Sequence, residues 1–306
     1  MRICSLLPSA TEIVCALGLE DSLVGVSHEC DYPASVRRKP TLIRSRVDPS
    51  SPAAVIDSQV RELLARGESI YSVDRELLLS LAPDLVITQD LCHVCAASPD
   101  DLATTLAPQP SPPRVLTLSA DSLREVWNDM RAVGDATGCR PRADKLVNDS
   151  EARVARVARI CANAAKKSRV VCLEWLSPLY CAGHWVPEMV ALAGGEDMLG
   201  RPGRPSYRVS WEQVLHARPD IVLVMPCGYE VEKAAREFAE LSLPGGWADL
   251  PAVRNGRVFA VDANGHFSRP GPRLVAGLEM MAELFSPGKG ISRAALGRAE
   301  MIRSLV

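Results

Sequence analysis

The sequence predicts an α/β protein built as two similar lobes joined once through helix. Three observations carry that prediction. Short apolar runs of strand length alternate with segments of helical period. Segments of the second half answer segments of the first half in the same order. Arg169-Val170-Val171-Cys172-Leu173 answers Arg2-Ile3-Cys4-Ser5-Leu6, and Pro187 to Gly194 answers Thr11 to Gly18. Pro219-Asp220-Ile221-Val222-Leu223-Val224 then answers Pro83-Asp84-Leu85-Val86-Ile87, and Gly256 to Val261 answers Pro113 to Leu118. Third, a long, mostly charged helix separates the halves. A chain of 306 residues, 47% hydrophobic, suffices for two separate cores. The expected boundaries are an N-terminal lobe over 1–120, a helical connector over 121–168, a C-terminal lobe over 169–285 and a short helical tail over 286–306.

Taken in order, residues 3 to 7 form a strand, and Pro8 to Glu12 open a helix whose apolar Ile13, Val14 and Leu17 fall on one face before Gly18 closes it. Leu23 to Val26 is a short strand that delivers Ser27-His28-Glu29-Cys30-Asp31-Tyr32-Pro33 to its carboxyl end. A polar connection leads to a helix over Val55 to Arg66. Asp74 caps another helix over Arg75 to Leu81, which ends at Ala82-Pro83-Asp84. The buried strand Leu85-Val86-Ile87 then opens into Thr88-Gln89-Asp90-Leu91-Cys92-His93-Val94-Cys95. Beyond the stiff Gln109-Pro110-Ser111-Pro112-Pro113 lies a strand over Arg114 to Leu118. Helices follow over Ser122 to Thr137 and from about Arg142 to Lys167, the latter spanning roughly 39 Å at 1.5 Å per residue.

Charge removes one class of function. The 35 basic and 37 acidic residues are interspersed and leave a formal charge of -2, so there is no footprint for nucleic acid. No apolar run is long enough to span a bilayer. Met1-Arg2 runs directly into a short apolar strand, too short for the core of an export signal. The expectation is therefore a cytoplasmic protein whose ten cysteines are free thiols or metal ligands.

The cysteines are of two kinds. Cys4, Cys15, Cys161 and Cys172 lie inside predicted elements and read as small buried hydrophobes. Cys92 and Cys95 have the two-residue gap that lets both sulfurs reach one metal, and they follow a strand's carboxyl end, where ligands bind in open α/β sheets. Cys30 ends another strand of the same lobe, and Cys227 ends the strand equivalent to the one before Cys92. Cys181 is a further candidate. Thiolates converging in this way would hold zinc or an iron-sulfur cluster. His28, His184 and His266, with His93, fall in predicted loops and offer imidazole nitrogen to a metal, whereas His216 sits on a helix and reads as structural.

Ser5-Leu6-Leu7-Pro8-Ser9-Ala10-Thr11-Glu12-Ile13, the two Pro-Asp strands, the joining helix and Trp247 to Asp262 resemble the class III substrate-binding proteins. These are the vitamin B12 and iron-siderophore receptors with a helical backbone. The resemblance covers nearly the whole chain and is nearest to the cobalamin-binding branch. It implies two Rossmann-like lobes joined by a long backbone helix, a ligand cleft between the lobes, and a bulky, metal-containing small-molecule ligand such as cobalamin or a related corrinoid. On that reading Trp175, Tyr180, Trp185, Tyr229 and Phe267 form aromatic walls for a flat macrocycle, with His28, His184 and His266 beside them. Arg201, Arg204 and Arg208 either meet acidic groups of the ligand or belong to a solvated loop. The missing export segment and the cysteines count against an ABC permease as partner. Three functions remain open: an intracellular corrinoid-binding protein, a cysteine-ligated metal or iron-sulfur protein with Cys30, Cys92, Cys95 and Cys227 as ligands, and a chelatase-like enzyme. The enzyme ranks last, because no paired acid and base, Ser-His-Asp order or Gly-rich phosphate loop is present.

Overall fold

The computed structural model describes residues 1–90, 112–162, 167–289, 291 and 299–302. The chain divides into two compact units: Met1–Ser51, Val55–Ala120 and Arg124–Asp149 form the first, and Pro52–Ala54, Asp121–Leu123 and Ser150–Val306 the second.

The first unit is organised around a six-stranded sheet made of β1 (Ile3–Ser5), β2 (Leu23–Ser27), β3 (Thr41–Ser45), β4 (Tyr71–Val73), β5 (Leu85–Gln89) and β6 (Arg114–Leu118). The spatial order is β4-β3-β2-β1-β5-β6, parallel except for β4 against β3. Every residue of β1 and β5 is buried, as expected for strands covered on both faces. One face packs Cys4, Leu6 and Val86 against Leu42, Ile43, Leu63, Tyr71 and Leu78. The strands β3 and β4 correct the sequence reading, which placed only a polar connection ahead of the helix Val55 to Arg66 and assigned no element between that helix and Asp74. Their apolar content is too low to announce a strand: β3 buries Leu42 and Ile43 alone and leaves Arg44 exposed. The helix Arg75–Ser80 starts as expected, with the Asp74 carboxylate accepting the Leu77 N–H at 3.0 Å.

The second unit holds a seven-stranded sheet of β7 (Ser168–Leu176), β8 (Leu179–Cys181), β9 (Gly195–Asp197), β10 (Tyr207–Arg208), β11 (Ile221–Val224), β12 (Val258–Val261) and β13 (Ala299–Met301). Its order is β10-β8-β7-β11-β12-β13, with β9 beside the first half of β7. The parallel centre is β7, β11 and β12, and β8, β10 and β13 run antiparallel. A core under one face gathers Val171, Leu173, Val222, Val224, Phe238 and Trp247, and the apolar helix Leu274–Phe285 is buried along nearly its whole length. The strand β13 corrects the helical tail expected after residue 286: Ala299 to Met301 pair with Val261 to Phe259. The charged helix is also shorter than its composition suggests. It spans Arg140–Cys161 and contributes residues to both units, and Ser168 already begins β7.

The repeat seen in the sequence recurs as geometry within each unit. The Asp84 N–H donates to the Arg2 carbonyl at 2.8 Å, and the Arg2 N–H donates back to the Asp84 carboxylate at 2.7 Å. In the second unit the Asp220 N–H donates to the Arg169 carbonyl at 2.8 Å, and the Arg169 N–H donates to the Asp220 carboxylate at 3.0 Å. Each Pro-Asp turn thus fixes the register of its strand against the first strand of its unit.

Candidate ligand-binding site

Strand order locates a functional edge in each unit. In the first, the chain builds outward from β1 through β2 and β3, then returns to the other side of β1 with β5. The switch point lies between β1 and β5, and a ligand crevice forms outside the carboxyl ends of strands at such a point. Buried polar side chains collect there: Ser5, Ser9, Thr11, Ser27, Thr88 and Gln89. The Thr11 hydroxyl donates to Ser5 Oγ at 2.8 Å and meets the Cys30 sulfur at 3.1 Å, while Ser5 Oγ donates to the Leu7 carbonyl at 3.0 Å. Cys30 is only 4% exposed, with its sulfur against Thr11 of the helix Pro8–Ala16. His28 is partly exposed beside Glu29, with its ring 6.1 Å from that of Tyr71. Cys92, Cys95 and His93 lie outside the described residues.

In the second unit the switch point lies between β7 and β11. The loops at these carboxyl ends are tied together by backbone. The Cys227 N–H donates to the Glu174 carbonyl at 3.0 Å, the Asn264 N–H to the Tyr229 carbonyl at 3.0 Å, and the Gly228 N–H to Ser268 Oγ at 3.4 Å. Trp175 and Tyr180 stand opposite each other in the β7–β8 pairing, both partly exposed. Trp175 also packs against the core of the unit, and a register shift separates this pair from Leu173 and Cys181.

Three other predicted aromatics are buried. Tyr229 is 3% exposed, its ring edge-on to Trp175 at 5.5 Å and its hydroxyl donating to Glu237 Oε1 at 3.0 Å. Trp185 and Phe267 are packed inside the unit, where the Trp185 indole N–H donates to the Phe267 carbonyl at 2.8 Å. Each of these rings has its partner within the unit. His184 donates from Nδ1 to the Asp121 carboxylate at 2.8 Å, and His266 is tucked against Asp262. Glu188, in the first turn of the helix Val186–Leu192, accepts the Leu123 N–H at 3.1 Å.

The cysteines follow burial. Cys4 and Cys15 are pushed up to about 12 by burial, and Cys172 is raised well above the ordinary thiol range for the same reason. Cys181 is fully buried and raised to about 11, its sulfur donating to the Tyr207 carbonyl at 3.6 Å. Cys227 is partly exposed. Among the described residues, no group of three or more His, Cys, Asp or Glu side chains is gathered to hold a metal.

Asp197, at the end of β9, is the unexpected titratable group. Its Oδ1 accepts the N–H groups of Leu199 and Gly200 at 3.1 and 2.7 Å, but its Oδ2 is buried with no hydrogen-bond partner. Burial raises it from 3.8 to about 6 against those two hydrogen bonds. A carboxyl raised on folding holds its proton more tightly in the native state, so its contribution is most favourable below about pH 4 and is lost as pH rises through about 6. Asp197→Asn keeps the acceptor and removes the charge, at the cost of a buried NH2 group. The expected result is a gain of about 1–2 kcal/mol at pH 8 and none at pH 4, read by urea unfolding at both pH values. Equal effects at the two pH values would contradict this account.

The whole chain is similar to proteins of known family. The family model described as "Periplasmic binding protein" matches residues 3–264. The chain belongs to the periplasmic binding protein family. It is 26% identical over 297 residues to an uncharacterized ABC transporter substrate-binding lipoprotein of Bacillus subtilis, covering 94% of this chain and 80% of that protein. It is 25% identical over 293 residues to a vitamin B12-binding protein of Vibrio cholerae, covering 92% and 87%. The solved periplasmic heme-binding protein of Roseiflexus sp. RS-1, in apo form, is similar with a TM-score of 0.69 at 26% identity, covering 93% of this chain and 97% of that one. Two α/β units are what this family's fold requires, and no described helix is long and apolar enough to cross a membrane.

Proposed function

We propose that this periplasmic binding protein family member binds a flat, metal-containing tetrapyrrole, a corrinoid or a haem, and passes it to an ABC permease. The observation that carries the reading is the Trp175–Tyr180 pair at the carboxyl end of β7, beside the switch point to β11. Two aromatic side chains already held by strand pairing bury a large flat area with little loss of side-chain freedom. The names of the similar proteins, vitamin B12-binding and heme-binding, support the same ligand class. The permease is supported by the substrate-binding lipoprotein of an ABC transporter.

Titration with cyanocobalamin and with haem, followed by absorbance, tests this. Trp175→Ala and Tyr180→Ala are each expected to weaken binding of the accepted ligand about tenfold, and together about a hundredfold, with circular dichroism unchanged. Undiminished binding by the double variant would remove the aromatic pair from the site. Failure of the wild-type protein to bind either ligand would remove the tetrapyrrole.

A further inference from the structure

Two cysteines of the first unit are brought to one face of the helix Pro8–Ala16. The Cys30 sulfur lies 3.1 Å from Thr11 Oγ1, and Thr11 is fully buried. Cys15 is one turn further along the same helix. Side chains four positions apart on a helix are neighbours, with Cβ atoms about 5–6 Å apart, and each leans back over the turn on its N-terminal side. The Cys15 side chain therefore leans onto Thr11, the residue against which the Cys30 sulfur rests. The charges around Cys15 agree with that placement: after burial, the groups that act on its thiol are Glu20, Cys30, Lys39 and Glu12. Cys30 is held in the turn that follows β2, where its N–H donates to the Ser27 carbonyl at 3.0 Å.

The two thiols differ in access. Cys15 is partly exposed, whereas Cys30 is buried. An external reagent reaches the first, and the second is placed to resolve a mixed disulfide from within the fold. Cys181 also acts on Cys172, but both are fully buried and offer no such entry.

We propose that Cys15 and Cys30 are an oxidation site, closed to an intramolecular disulfide by exchange with a small-molecule disulfide. Cys15, as thiolate, attacks one sulfur of the reagent, forms a mixed disulfide and expels one thiolate. Cys30, after losing its proton to solvent, attacks the Cys15 sulfur and expels the second. Two protein thiols are oxidised and one reagent disulfide is reduced to two thiols. The new bond ties the turn at the carboxyl end of β2 to the helix that follows β1. An oxidising compartment favours it, and a glutathione-reduced cytosol opposes it. Burial, which pushes the Cys15 thiol up to about 12, makes the exchange slow near neutral pH and faster as pH rises. The inference is independent of which ligand the protein carries.

Full-length wild type, Cys15→Ala and Cys30→Ala are incubated with oxidised glutathione at pH 7 and pH 9, blocked with iodoacetamide and mapped by mass spectrometry without reduction. The expected wild-type result is a linked Cys15–Cys30 peptide that forms at least tenfold faster at pH 9, on the order of the gain in thiolate. The oxidised protein melts about 5 °C above the reduced one, and dithiothreitol reverses the gain. In Cys15→Ala the linked peptide and the gain are absent, and Cys30→Ala stops with glutathione on Cys15. A wild-type protein that keeps both thiols, stops with glutathione on Cys15, or links Cys30 to another cysteine, Cys92 and Cys95 included, overturns the inference. An equal thermal gain in Cys15→Ala does the same. The wild-type map decides even where a variant fails to fold.

Discussion

Gly183→Ala is expected to cut ligand affinity at least tenfold while the second unit stays folded. Gly183 lies between β8 and His184, and the loop to β10 is pressed against it. A Cβ on Gly183 would fall on the Ser206 nitrogen and come within 2.5 Å of the Arg204 carbonyl oxygen and 2.6 Å of the Pro205 carbonyl carbon. These are backbone atoms of the opposing segment, so no rotamer change relieves the clash. The loop has to move, and its hydrogen bonds to His184 go with it. The pairing of β10 with β8, Tyr180 included, is carried by the displaced segment, so the cost appears mainly in binding. Overpacking of this kind costs about 1–3 kcal/mol in stability. The checks are affinity for the ligand that wild type accepts, protease cleavage within residues 201–208, and the melting temperature. Rapid cleavage and weak binding with a melting temperature lowered by only a few degrees is the expected pattern. Unchanged affinity would show that the position of the loop does not matter to the ligand.

The same loop shows where sequence reasoning stops. The repeat and the parallel centres of both sheets were legible, because long apolar strands and Pro-Asp turns carry strong local signals. Arg2 with Asp84 and Arg169 with Asp220 are the physical content of that signal: the matched residues form matched hydrogen bonds. The edge strands were not legible. β10 is only two residues long, so no alternation exists for a pattern to show, and Arg208 looked like any arginine in a Gly-Pro loop. Only its pairing with Tyr180 assigns it to the sheet. The aromatic residues fail in the opposite direction. Trp185 and Phe267 sit next to glycine, proline and histidine and read as loop residues, yet a hydrogen bond across 82 positions of sequence buries both. Local composition cannot announce a partner that distant. The buried thiols behave likewise: Cys4 and Cys172 were expected inside strands, whereas burial of Cys30 depends on Thr11, which belongs to the preceding helix.

Phe238→Ala is expected to give the reverse phenotype: a large loss of stability with affinity preserved below the unfolding transition. Phe238 is fully buried on the helix Val231–Ala239, with its ring 5.7 Å from that of Trp247, which lies edge-on to Trp211 at 5.5 Å. It belongs to the core cluster of the second unit, where its ring meets Trp247, and Trp175 meets the same cluster through Tyr229. Removing the ring loses its transfer free energy and leaves a cavity between large aromatic neighbours. The cost is about 3–5 kcal/mol, and the melting temperature falls by about 10 °C. Phe238→Leu refills most of the volume and recovers more than half of the loss. Calorimetry of the three proteins, with affinity measured well below each transition, checks both halves of the expectation. If Phe238→Ala also weakened binding at low temperature, the core and the edge would be one cooperative structure. Preserved binding would instead mean that the sheet's hydrogen bonds hold the edge in register and that the core beneath it sets only how long it persists on heating.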